Sequence, residues 1–195
     1  MMSVETNNTG EPRTQLAMHP KKFAMWLFIV SIVMIFGAVT SAYIVRQAEG
    51  NWKLFQLPTL FLWSTLVLLG SSVTMQWAYQ NAKKDELERV KTGVALTLLL
   101  GIAFLVMQYE GWKALVEMNV HFSFANPSES FLYVLTGLHA FHLVTGLIFI
   151  IIVLISAFQD KVHAKSLVQL EMCTTYWHFL DGLWLYLYIF LLINR

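Results

Sequence analysis

The chain has 195 residues, 57% of them hydrophobic and only 13% charged, with a formal net charge of +1. Its mean hydropathy of +0.58 is far above that of a water-soluble domain. The weak net charge offers no basic surface for nucleic acid and no acidic field for a cationic partner, and the single cysteine, Cys173, excludes an internal disulfide and a cysteine-rich metal site.

Residues 1–19 open the chain with a polar stretch that lacks the apolar core of a cleavable signal peptide, and they read as a disordered cytoplasmic tail. The sequon Asn7-Asn8-Thr9 has no weight in that setting. Five apolar stretches follow, each long enough for the roughly 20 helical residues that cross a bilayer. They run over about 23–45, 58–80, 92–111, 130–158 and 172–194. The expected fold is therefore an all-α membrane protein, a bundle of five transmembrane helices forming one domain over 20–195. Pro20 and Pro58 mark the first two starts, and Asn126-Pro-Ser-Glu129 supplies an N-cap, an N1 proline and an N3 carboxylate for the fourth. Gly37 and Ser41 have the small-xxx-small spacing that suits close helix packing. The mixed-charge stretch 81–91 is expected to be a solvated turn. Trp52, Trp63, Trp77, Trp112, Trp177 and Trp184 fall mostly near span ends, as an aromatic belt requires.

Lys and Arg are distributed unequally. Nine of the thirteen lie in the tail and the even-numbered loops, and four (Arg46, Lys53, Lys113 and Arg195) lie on the other side. The positive-inside rule then predicts the N terminus inside and the C terminus outside.

The polar groups inside the spans are the candidates for chemistry, because ionisable side chains in a membrane are costly unless paired or turned inward. His178 and Asp181 are spaced i, i+3 on one helix face, which predicts a hydrogen-bonded pair. At about 1.5 Å rise per residue, His142, His178 and Asp181 fall in one layer of the inner half, where the fourth and fifth helices are able to meet. Glu110 and Glu171 lie nearer the interfaces. His139 and His142 share one helix and cannot clamp a haem from both sides, and only His178 offers an opposing ligand. Helix-to-helix hydrogen bonding by these histidines is the alternative to haem or metal ligation. His19, His121 and His163 lie in loops with no metal-ligand spacing.

Four segments carry a family resemblance. Tyr176-Trp-His-Phe-Leu-Asp-Gly-Leu-Trp184 resembles the YWHFVDxxW signature of subunit III of haem-copper respiratory oxidases. Thr136-Gly-Leu-His-Ala-Phe-His-Leu-Val-Thr-Gly146 is similar to that family's TGxHxxHVxxG helix. Trp26-Leu-Phe-Ile-Val-Ser-Ile-Val-Met-Ile-Phe36 resembles its LFIxSExxFF helix, and Gln108-Tyr-Glu110 its QxxE helix end. Glu171, six residues before Trp177, also matches. Two departures stand out. Ile32 replaces the family glutamate, and the five spans match the short bacterial form rather than the seven-helix members.

The resemblance implies a non-redox subunit with no catalytic, cofactor-binding or metal residues of its own. His139, His142, Trp177, His178, Asp181, Glu110 and Glu171 are then candidates for structural, lipid-linked or proton-linked roles. It further implies haem and copper in partner subunits, packing on the catalytic subunit I, bound phospholipids and support of proton uptake and enzyme stability. Other oxidase subunits, a larger respiratory supercomplex and a bacterial plasma-membrane location follow from the same likeness. A quinol oxidase subunit III is the alternative within the family. A small proton or ion transporter is the rival of another class, although no inverted repeat or broken helix supports it.

Overall fold

The computed structural model describes residues 20–50, 57–118, 120, 122, 127–159 and 167–194. The tail 1–19 with Arg13 and His19, and the loop residues Trp52, Lys53, His121, Asn126, Lys161, His163 and Lys165, lie outside these, as does Arg195. Five helices follow in chain order: α1 (Pro20–Ala48), α2 (Leu60–Ala82), α3 (Leu87–Glu117), α4 (Pro127–Phe158) and α5 (Val168–Ile193). Each is long and apolar enough to cross a membrane, and no strand occurs among the described residues. In hydrocarbon every backbone N–H and C=O needs an internal partner, and an apolar helix supplies one for each.

The third helix is longer than its apolar run. Five residues precede Thr92 and six follow Gly111, because charged residues extend a helix where it leaves the lipid. Lys91 pairs with Glu88 at 3.0 Å and Lys113 with Glu110 at 2.8 Å, both at i, i+3. The fourth helix begins at Pro127, three residues before the apolar run. Between α2 and α3 the chain reverses in a tight turn. Asp85 takes a left-handed conformation there (φ 57°), which a short side chain with local hydrogen bonding tolerates. Gly50, with φ 86°, follows the end of α1 in the position where a left-handed glycine stops a helix.

Helix α5 lies at the centre. Its backbone packs against α1, α2 and α4, whereas the backbones of α1 and α2, although consecutive, do not come within packing distance of each other. Half of the residues in the apolar membrane-spanning stretch of α5 are buried, against 22% of those in α1. The buried apolar side chains form one cluster drawn from all five helices. Serines and threonines inside the spans mostly bond back to a carbonyl three or four residues earlier, as Thr40, Ser64, Thr97 and Thr174 do.

The expected aromatic belt and the small-residue contact both need correction. Trp63 and Trp77 face outward, but Trp177 and Trp184 are each 1% exposed and sit in the core. Gly37 and Ser41 are exposed, and a Cβ added at Gly37 would meet nothing within 4 Å. The close approaches occur elsewhere. Gly93 lies on Ala78, Gly101 on Leu147 and Trp177, and Gly146 on Leu180 and Trp177.

Candidate functional site

The side chains of α5 meet a polar stripe on α2. Trp177 Nε1 donates to Ser71 Oγ at 3.0 Å, and Trp184 Nε1 donates to Thr65 Oγ1 at 2.9 Å. His178 Nδ1 lies 2.6 Å from Ser72 Oγ and its Nε2 lies 3.1 Å from Gln76 Oε1. Because a carboxamide oxygen only accepts, Nε2 carries the proton and Nδ1 accepts from the Ser72 hydroxyl.

That assignment explains Asp181. The residue is 4% exposed, and neither carboxylate oxygen has a hydrogen-bond partner among the described residues. Ser72 lies beside it, but the single hydroxyl proton of Ser72 is directed to His178. The expected His178–Asp181 bond is therefore absent, since both ring nitrogens are taken by the neighbouring helix.

The expected layer of His142, His178 and Asp181 is also not one site. His142 is buried on the α1 side, its ring 5.8 Å edge-on to Phe36, and its Nδ1 bonds the Leu138 carbonyl of its own helix at 2.7 Å. His178 is half-buried and turns to α2. Depth along a helix is readable from rise per residue. The direction a side chain faces is not, and here it separates the two histidines.

His139 is 1% exposed and neither ring nitrogen has a partner among the described residues. It is walled by Phe104 of α3, with centroids 6.1 Å apart, and by Trp184, 5.1 Å away. Among the described residues neither His139 nor His142 therefore makes the expected helix-to-helix hydrogen bond with its side chain. The α4–α5 polar link is instead Thr145 Oγ1 with Tyr176 Oη at 2.8 Å. Among the described residues no three His, Cys, Asp or Glu side chains are grouped to hold a metal ion.

At the bundle ends, Glu171 accepts from Lys22 Nζ through both oxygens at 2.7 Å, tying α5 to α1. Glu110 is exposed and pairs within its own helix. Gln108 Nε2 donates to Ser64 Oγ at 2.9 Å and joins α3 to α2. Ile32, at the family glutamate position, is 1% exposed in the apolar core.

Sequence reasoning missed the α2 stripe. Its signal was present: Ser64 and Ser71, like Thr65 and Ser72, are seven residues apart, and Gln76 stands one turn beyond Ser72.

The bundle and its polar contacts define a multi-pass membrane protein whose last helix is bonded to three of the others. The family model of cytochrome c oxidase subunit III matches residues 2–194, and the chain belongs to that family. Among its relatives is the cytochrome bo(3) ubiquinol oxidase subunit 3 of Buchnera aphidicola subsp. Schizaphis graminum. That protein is 27% identical over 89% of this chain and 94% of its own length. The cytochrome c oxidase subunit 3 of Bacillus sp. (strain PS3) is 25% identical over 96% of this chain and 92% of its own. The carp (Cyprinus carpio) cytochrome c oxidase subunit 3 is 32% identical over 86% of this chain but only 67% of its own length. The chain is thus subunit III of a haem-copper terminal oxidase, an oxidoreductase complex whose other subunits are its partners. The five apolar helices and the bacterial relatives make it a multi-pass protein of the plasma membrane.

Proposed function

We propose that this subunit stabilises a proton-pumping oxidase by packing on its haem- and copper-bearing subunit I, and that it holds no redox centre itself. The observation that carries this reading is the use of the polar groups of α5. Trp177, His178 and Trp184 all bond α2, and Glu171 bonds α1. His178, the one histidine able to oppose His139 or His142 across a haem, has both nitrogens engaged. The N terminus lies inside, in keeping with the bias of Lys and Arg. The subunit binds phospholipids and supports proton uptake, as the family resemblance implies. Cytochrome c is the electron donor in the first reading. The quinol alternative stands beside it, because a ubiquinol oxidase subunit and a cytochrome c oxidase subunit both match nearly the whole chain.

The test is the lifetime of the oxidase during turnover. Complex stripped of this subunit should start at a rate comparable to that of the intact complex and lose activity faster, and adding the subunit back should restore the slow decay. Identical decay with and without it would contradict a stabilising role. Oxidation of reduced cytochrome c, or of ubiquinol, by the intact complex assigns the donor.

A further inference from the structure

The outer surface of the bundle is not uniform. The exposed residues of α3 and α4 at membrane depth include Leu99, Ile102, Val106, Phe141, Ile148 and Ile155, all apolar and suited to acyl chains. The opposite face differs. Since the backbones of α1 and α2 do not come within packing distance of each other and Gly182 between them is exposed, one side of α5 stays open. Gly182 of α5 and Gly37 of α1 are both exposed and line a groove of about 410 Å³ floored by Phe36 and Leu183. A Cβ at either glycine would meet nothing within 4 Å, so the backbone is open to a close neighbour.

One turn from Gly182 stands His178, and on it Gln76. Gln76 is exposed, its oxygen accepts from His178, and its NH₂ group has no partner among the described residues. The residue lies six positions, about 9 Å of helix rise, inside the α2 end at Ala82. Acyl chains at that depth carry no acceptor, and an unpaired carboxamide in hydrocarbon costs free energy. A lipid covering this face would leave the donors unsatisfied, whereas a protein helix with a polar side chain satisfies them.

We propose that the α1–α5–α2 face receives a transmembrane helix of a partner oxidase subunit. That helix seats against Gly37 and Gly182 and presents a hydrogen-bond acceptor to the Gln76 carboxamide. The proposal rests on the reading that this chain packs against a larger oxidase subunit, and it names the surface that does so.

The experiment expresses the full tagged chain with its native oxidase subunits and measures, by reduced-minus-oxidised absorbance, the haem recovered per tagged chain in mild detergent. Gly182→Leu should lower the recovery tenfold or more and Gln76→Leu severalfold. Leu99→Trp and Ile148→Trp, on the apolar faces, should leave it unchanged. A Ser41→Cys variant carrying a photo-activated cross-linker should join the chain to a haem-bearing polypeptide, a readout that survives if Gly182→Leu misfolds. Full recovery with both Gly182→Leu and Gln76→Leu would overturn the proposal in favour of a lipid-covered face. A cross-linked product of two copies of this chain would overturn it in favour of self-association. No haem with the unmodified chain would overturn the assembly reading and the surface with it. Loss of haem with Leu99→Trp or Ile148→Trp alone would place the partner on the opposite face.

Discussion

Trp177 of α5 reaches across the bundle so far that a Cβ on Gly101 of α3 would stand 2.8 Å from its ring. The other edge of the same indole lies 3.3 Å from a Cβ built on Gly146 of α4, and its Nε1 bonds Ser71 of α2. One side chain of the central helix thus touches three other helices. We expect Trp177→Ala to lower unfolding stability in mixed micelles by about 3–5 kcal/mol, the range for losing a buried aromatic. Trp177→Phe should keep most of the packing and lose about 1 kcal/mol with its hydrogen bond. Equal losses for the two would show that the Ser71 bond, not the ring, dominates.

The glycines separate by position. At Gly93 a Cβ would lie 2.8 Å from the Ala78 Cβ and 3.2 Å from its Cα, and although the Trp77 ring at 3.0 Å is able to swing aside, Ala78 is not. Gly93→Ala should force α2 from α3 and cost about 1–3 kcal/mol. Gly37→Ala should leave the stability of the isolated subunit within about 0.5 kcal/mol, as for a surface change. Chemical unfolding of the two variants side by side reads the difference, and equal stability would refute the α2–α3 packing.

A double-mutant cycle distinguishes the partner of His178. Ser72→Ala and His178→Leu should be coupled by about 0.6 kcal/mol or more, the scale of interhelical hydrogen bonds in membranes. Asp181→Asn and His178→Leu should couple less strongly, because no bond joins those side chains and they share only Ser72 as a neighbour. Asp181→Asn should also leave the assembly of the oxidase unchanged, since the carboxylate braces nothing. Strong coupling between His178 and Asp181 would revive the i, i+3 pair.

The contrast between those two partners shows what could be read from the sequence. Five spans and their order were legible because an apolar run of bilayer length is rare outside a membrane. The Tyr176–Trp184 segment stood out as a candidate site because its residue types are rare at that depth. The partner of His178 was not. Spacing along one helix reveals which neighbours are within reach, but a donor on another helix competes, and Ser72 wins by direct apposition at 2.6 Å. The same limit hid the burial of Trp177 and Trp184. Position along a span suggests an interface, and only the angle around the helix shows that they point inward.

The Lys22–Glu171 pair tests the α1–α5 contact at one end of the bundle. Its side chains are 29% and 38% exposed, so solvent and salt screen it. Glu171→Gln should cost less than about 1 kcal/mol. The reversed pair, Lys22→Glu with Glu171→Lys, should recover the loss. Failure of the reversal to restore stability beyond either single variant would show that the pair contributes no direct bond.

The most direct test of a non-redox packing subunit is metal and haem content measured twice, on the complex captured through this chain and on the chain separated from it. The intact complex should show haem bands in its reduced-minus-oxidised spectrum, and the separated polypeptide should contain neither haem nor stoichiometric iron or copper. Iron or copper at one equivalent in the isolated chain, or a colourless homo-oligomer in place of the complex, would contradict it.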